Sequence, residues 1–188
     1  MRTINFIPVL LMVLIISGFK YYTGESTFTD SRDGTTYKTV TIGNQVWMAE
    51  NLNFEGKTEA KYYENDPVKL ETYGRMYDFE TAKLACPDGW HLPSKAEWDE
   101  LINHLGGNKE AADKMLPGGD SGFNALLGGS YIDGRYDHIA FSTVFWSSGE
   151  TDAGTATGYY IRGRNIGAVI EARSYSTKSA FYVRCVKN

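Results

Sequence analysis

An α+β domain built on small antiparallel sheets is what this sequence predicts, and three observations carry the prediction. Residues 37–42 alternate with β-branched positions, Gly43-Asn44 can turn, and residues 45–48 return, which is a hairpin signature. Two short helical patterns follow between residues 78 and 105. Residues 141–148, 158–164, 168–175 and 180–187 then read as short strands parted by turn residues. Strands at both ends of a helical middle give segregated α and β structure, not an alternating βα chain. No repeat at a fixed period is visible, which excludes solenoids and propellers.

Each element has a local cause. In the first helical pattern Asp78 is a candidate N-cap, Phe79, Ala82 and Cys86 share one side, and Pro87 stops the helix. The second opens on a capping box, Ser94 with Glu97 three positions on. Trp98, Leu101, Ile102 and Leu105 then recur as one apolar face, ending at Gly106-Gly107. Residues 53–72 read as a charged loop, and 106–134 as a Gly-rich region with little regular structure.

The 188 residues fit one domain with a leader. Aromatic content is 14%, with 13 Tyr and 20 Gly, which favours strands and loops over a helical bundle. A net charge of −4 with no basic stripe gives no reason to expect a nucleic-acid partner. Arg2 and the apolar run from Phe6 to Ile16 have the anatomy of a secretory signal and are short for a membrane span. Residues 1–19 are therefore expected to be a signal peptide or an N-terminal membrane anchor, the only membrane contact expected; a buried N-terminal strand or helix is the alternative. The position where a lipoprotein would need its cysteine holds Phe19. Residues 20–36 are polar and aperiodic and read as a linker, with the domain over 37–188.

Cys86 and Cys185 are the two cysteines and have one possible pairing, which an oxidising compartment would allow. Closing so long a loop stabilises by about 4–5 kcal/mol in the chain-entropy model. Two inert buried thiols or a reactive thiol are the alternatives. His91, His104 and His138 lack the close spacing of a metal site.

Several motifs in order resemble a known family: Asp33-Gly34-Thr35-Thr36-Tyr37, Trp47-Met48-Ala49-Glu50-Asn51-Leu52, Cys86-Pro87-Asp88-Gly89-Trp90-His91-Leu92-Pro93-Ser94, Phe145-Trp146-Ser147-Ser148 and Val183-Arg184-Cys185-Val186. Over residues 33–188 the chain is similar to the Fibrobacter succinogenes major paralogous domain. That resemblance implies a C-type lectin-like fold of the formylglycine-generating-enzyme branch, echoed in Leu92-Pro93-Ser94-Lys95-Ala96-Glu97-Trp98: two short helices on small antiparallel sheets, with long irregular loops. It also implies an exported or surface location and a binding or adhesive role.

Candidate chemistry is thin. The sugar-binding ligand patterns of calcium-dependent lectins are missing, although Glu64-Asn65-Asp66 and residues 133–137 are acidic enough for a loop Ca²⁺ ion. No cofactor is otherwise expected. Oxidase chemistry would need a reactive cysteine pair near the C-terminal end, where only Cys185 lies. His91 has no nucleophile near it in sequence, and hydrolase and phosphate-loop signatures are absent. The expectation is therefore a non-catalytic module that binds an extracellular glycan or protein. Its expected contact residues are Tyr131, Arg135, Tyr136, Tyr159, Tyr160, Arg162, Arg164, Arg173 and Tyr175, with Asp133, Trp146, Glu150, Asp152 and Glu171 in the same region. Tyr and Arg are the types that dominate recognition surfaces. A structural envelope module without a ligand, or an enzyme of unrecognised chemistry, are the competing readings.

Overall fold

Alternating burial along the first hairpin sets the frame for everything that follows. The computed structural model describes residues 26–56 and 60–188, so the expected leader and the start of the expected linker lie outside the described residues. β2 (Thr36–Ile42) and β3 (Gln45–Met48) pair antiparallel around Gly43, with Val40 opposite Trp47. β1 (Ser26–Thr29) pairs antiparallel with β2. The expected linker is thereby corrected: from Ser26 onward it belongs to the sheet. Its polar composition conceals a cross-strand hydroxyl ladder, Thr29 Oγ1 to Thr36 Oγ1 at 2.9 Å, and a turn closed by the buried Asp30, whose carboxylate accepts from the Arg32 guanidinium at 2.7 Å.

The chain's last residues complete that sheet. β12 (Val186–Lys187) pairs with β3 on one side and β5 (Trp90–His91) on the other, giving the order β1-β2-β3-β12-β5, antiparallel throughout. A second sheet runs β10-β9-β8-β11-β4, from β10 (Val169–Ser176), β9 (Thr155–Arg162), β8 (Ser142–Asp152), β11 (Phe181–Tyr182) and β4 (Met76–Tyr77). Its pairs are antiparallel except β11 with β8. The strand expected over 180–187 is thus two strands in two sheets. A small hairpin pairs β6 (Ser130–Ile132), at the end of the region expected to be irregular, with β7 (Arg135–Asp137) just beyond it.

Four helices are present among the described residues where two were expected. α2 (Phe79–Ala85) and α3 (Lys95–His104) are the expected pair, capped by Asp78 and by the Ser94/Glu97 box. α1 (Pro67–Tyr73) is capped by Asp66, starts on proline and buries no residue, so it carries no apolar stripe to read. α4 (Asn108–Met115) buries Ala111, Ala112 and Met115, a stripe of small side chains that hydrophobic periodicity weighs little.

Around the first half of β8 the second sheet is buried on both faces, because alternate residues there serve two cores. Phe145 joins Trp47, Trp98, Phe123 and Tyr159 on one side, with Trp98 and Tyr159 stacked at 4.7 Å. Val144 and Trp146 join Phe79, Phe181 and Val183 on the other, where Trp146 Nε1 donates to Tyr77 O at 2.8 Å. Cys185 is bonded to Cys86, tying the end of α2 to the run between β11 and β12. No helix among the described residues is long and apolar enough to cross a membrane.

Candidate functional site

The residues expected to bind a ligand divide into separate places. In the β9–β10 pairing Tyr160 lies opposite Glu171 and Gly158 opposite Arg173, so Tyr160, Arg162, Glu171, Arg173 and Tyr175 project from one face. The Arg173 guanidinium lies over the Tyr160 ring, 3.8 Å from its centroid, and donates to Glu171 Oε2 at 2.6 Å. Burial lowers the Arg173 pKa, but bonding to Glu171 outweighs it and leaves the group raised. Tyr175 packs edge-on against Phe181 at 4.7 Å and stays half-exposed; burial raises its pKa. A Cβ at Gly158 would meet the Tyr175 ring at 2.9 Å, so the absent side chain lets that ring lie across β9. Trp146 and Phe79 cover the same face further along, leaving the β9–β10 end open.

Tyr159 is a correction. Being the odd neighbour of Tyr160, it points into the opposite core, is 1% exposed, and donates its hydroxyl to Asp99 Oδ1 at 2.9 Å. Burial, then Asp99, raise its pKa. Arg162 donates to Gly167 O at 2.7 Å and braces the turn after β9. Arg164 is spent elsewhere, on the Asp113 carboxylate and the carbonyls of Asp113 and Pro117, which fastens its loop to α4. Tyr131 and Tyr136 meet across the β6–β7 hairpin at 4.9 Å, backed by Tyr63 and by Lys61 Nζ at 5.0 Å from the Tyr131 ring. Arg135 is exposed on that hairpin. Among the other residues of the region, Asp133 and Asp152 are exposed, and Glu150 pairs with Lys83 at 3.3 Å.

His91 is a strut. Its Nε2 is 2.7 Å from Glu97 Oε1 and its Nδ1 is 2.6 Å from Asn188 Oδ1, so both ring nitrogens are engaged. Burial would raise the Glu97 pKa, but the Ser94 N–H, the Ser94 hydroxyl and His91 outweigh it and hold the carboxyl low. Among the described residues no three His, Cys, Asp or Glu side chains are grouped so as to hold a metal ion.

A site that the sequence reading missed lies at Arg184. Val183 and Cys185 face the α2 side, so Arg184, between them, faces Phe123 and Phe145. It is 1% exposed. Nε donates to Asn51 Oδ1 at 2.7 Å, Nη1 to Met48 O and Phe123 O, and Nη2 to Asn124 O at 3.0 Å. Asn124 holds a left-handed φ of 52°, which turns successive carbonyls onto the guanidinium. Burial pulls the Arg184 pKa down to about 9, and the Glu50 carboxylate pushes back. Arg184 floors a cleft of about 190 Å³ whose walls are 35–37, 49–53, the end of α1 and Asn124. A signal existed: an arginine inside the apolar run 183–186 needs hydrogen-bond partners where it is buried.

A larger cleft, about 730 Å³, lies between the β2–β3 turn, the end of α3 and the loop around Ser121. Its Lys114 and Ser121 heads are bonded to the protein's own carbonyls.

No curated protein and no solved structure matches the chain. The model of the Fibrobacter succinogenes major domain matches residues 40–187, which include both halves of the Cys86–Cys185 clamp, the capping box of α3 and the buried Arg184. The chain belongs to the Fibrobacter succinogenes major domain family.

Proposed function

We propose that this domain is a non-catalytic recognition module that works outside the cell and binds a protein or glycan ligand through the open face of β9 and β10. The observation that carries this reading is the group Tyr160, Glu171, Arg173 and Tyr175: two half-exposed aromatics and an arginine already held flat by ring and carboxylate. Side chains fixed before binding lose little entropy on binding, and Tyr and Arg supply contact area with directed hydrogen bonds. An exported location is supported by the Cys86–Cys185 bond, since such bonds persist in oxidising compartments. Any attachment to a membrane is assigned to residues 1–19.

We also infer a C-type lectin-like architecture of the formylglycine-generating-enzyme branch. Its support is the pairing of the N-terminal hairpin with the final strand, the helices α2 and α3, and the element from Leu92 to Trp98.

The test is binding of the labelled protein to polysaccharide arrays and to surface preparations of the producing cells, treated with protease or with periodate to tell protein from glycan. Wild type binds, and Tyr160→Ala/Arg173→Ala loses about tenfold or more in affinity. Equal binding by the variant removes the face from the account.

A further inference from the structure

We propose that the cleft floored by Arg184 is a second binding site, a subsite for one neutral, hydroxyl-rich ring of the size of a single sugar. It shares no residue with the β9–β10 face.

The floor supplies a donor that the fold leaves over. A guanidinium carries five N–H groups, and the hydrogen bonds of Arg184 to Asn51, Met48, Phe123 and Asn124 use four. The remaining N–H is on Nη2, the one nitrogen whose bond is not fully buried. Acceptors line the walls. Glu50 and Glu71 stand at the cleft, and Asn53 Oδ1 is buried with no hydrogen-bond partner among the described residues. Tyr37 Oη accepts from Asn53 N–H at 3.0 Å and keeps its own hydrogen to donate. Buried polar atoms without partners are uncommon and point to a missing one.

The charges select the ligand class. An anion would meet two carboxylates, and a cation would meet a guanidinium whose hydrogen-bond partners among the described residues are all neutral oxygens. A neutral polyol suits both, because each hydroxyl donates one bond and accepts others. Size agrees: about 190 Å³ is below the ~300 Å³ at which pockets for drug-sized ligands begin, which leaves room for one ring and not for a length of peptide. The frame is fixed in advance, since Arg184 is clamped by four acceptors and two aromatic rings, and Asn51 Nδ2 is tied to Tyr73 O at 2.8 Å.

The experiment titrates ¹⁵N-labelled protein with a panel of neutral hexoses, pentoses and N-acetylhexosamines. It follows the Arg184 Nε–H signal and the amides of Asn53 and Gly74. Acetate, phosphate, lysine amide and triglycine form parallel arms. At least one neutral sugar shifts the Arg184 signal saturably, and the charged and peptide probes do not. Thr72→Trp, on the exposed last turn of α1 at the mouth of the cleft, weakens that sugar by about tenfold or more, while Glu71→Gln weakens it several-fold. Ligand binding through Arg173 is untouched by Thr72→Trp, so failure of one site is distinguishable from failure of the other. The proposal is overturned if no sugar moves the Arg184 signal, if an anion, cation or peptide moves it instead, or if Thr72→Trp binds the sugar as wild type does.

Discussion

Removing the clamp between Cys86 and Cys185 gives the prediction whose magnitude follows most directly from the structure. The bond joins residues 99 apart, so it closes a loop that includes four of the five strands of the second sheet and all of α3 and α4. In the chain-entropy model a loop of that length stabilises by about 4.7 kcal/mol through the unfolded state. The double variant Cys86→Ala/Cys185→Ala is the clean perturbation, since a single replacement leaves an unpaired thiol in the core. Cys185 is fully buried, so the lost sulfur volume adds about 1 kcal/mol or less. The assay is urea unfolding of wild type, reduced wild type and the double variant, with far-UV circular dichroism to confirm that the native state is retained. A loss of about 4–5 kcal/mol is expected, which for a domain of this size lowers Tm by roughly 10–20 °C. A loss below about 1 kcal/mol in both the reduced and the doubly substituted protein would refute the reasoning, because no loop-entropy account of this bond yields so little.

Other expectations rest on individual side chains. Arg184→Met strands four acceptors at about 1 kcal/mol each and is expected to cost about 3–5 kcal/mol in urea unfolding, with Arg184→Lys little better because one ammonium cannot reach all four. An unchanged midpoint for either variant contradicts that network. Tyr159→Phe is expected to lose about 1 kcal/mol of stability with ligand binding intact, whereas Tyr160→Ala is expected to lose binding with little change in stability; the reverse pattern would exchange the two roles. Glu97 is held below its ordinary pKa of 4.5, so the stability it contributes is present above that value and is lost as pH falls through the lower folded value. Glu97→Gln, which can still cap α3, is therefore expected to flatten the acid limb of stability below about pH 4.5, measured as urea midpoints against pH, and an unchanged limb would show that Glu97 is not the group being titrated.

Local signals made part of this protein legible in its sequence and tertiary context hid the rest. The β2–β3 hairpin, α2, α3 and the cysteine pair were readable because each rests on chemistry within a few residues or on a forced pairing: Gly43 at a turn, Asp78 and Ser94 as caps, two cysteines with one partner each. The hidden elements lack such marks. β1 is polar because its stability comes from hydroxyls across the strand and from Asp30, while α4 buries alanines. The split of the last strand between two sheets is fixed by long-range pairing with β8 and β3, which no local pattern encodes. At the candidate site, residue type was readable and direction was not. Tyr159 and Tyr160 are chemically alike, and only the register of β9 sends one into the core and the other outward. Arg184 was read as part of a signature and not as a buried charge, although its apolar neighbours Val183, Cys185 and Val186 signalled burial.

Whether the open face of β9 and β10 is a recognition surface is decided by measuring binding of wild type and Tyr160→Ala/Arg173→Ala to surface preparations of the producing cells. Saturable binding by wild type and a loss of about tenfold or more in the variant, at unchanged stability, are expected. No saturable binding by the wild type, or equal binding by both proteins, would contradict it and favour a structural module without a dedicated ligand.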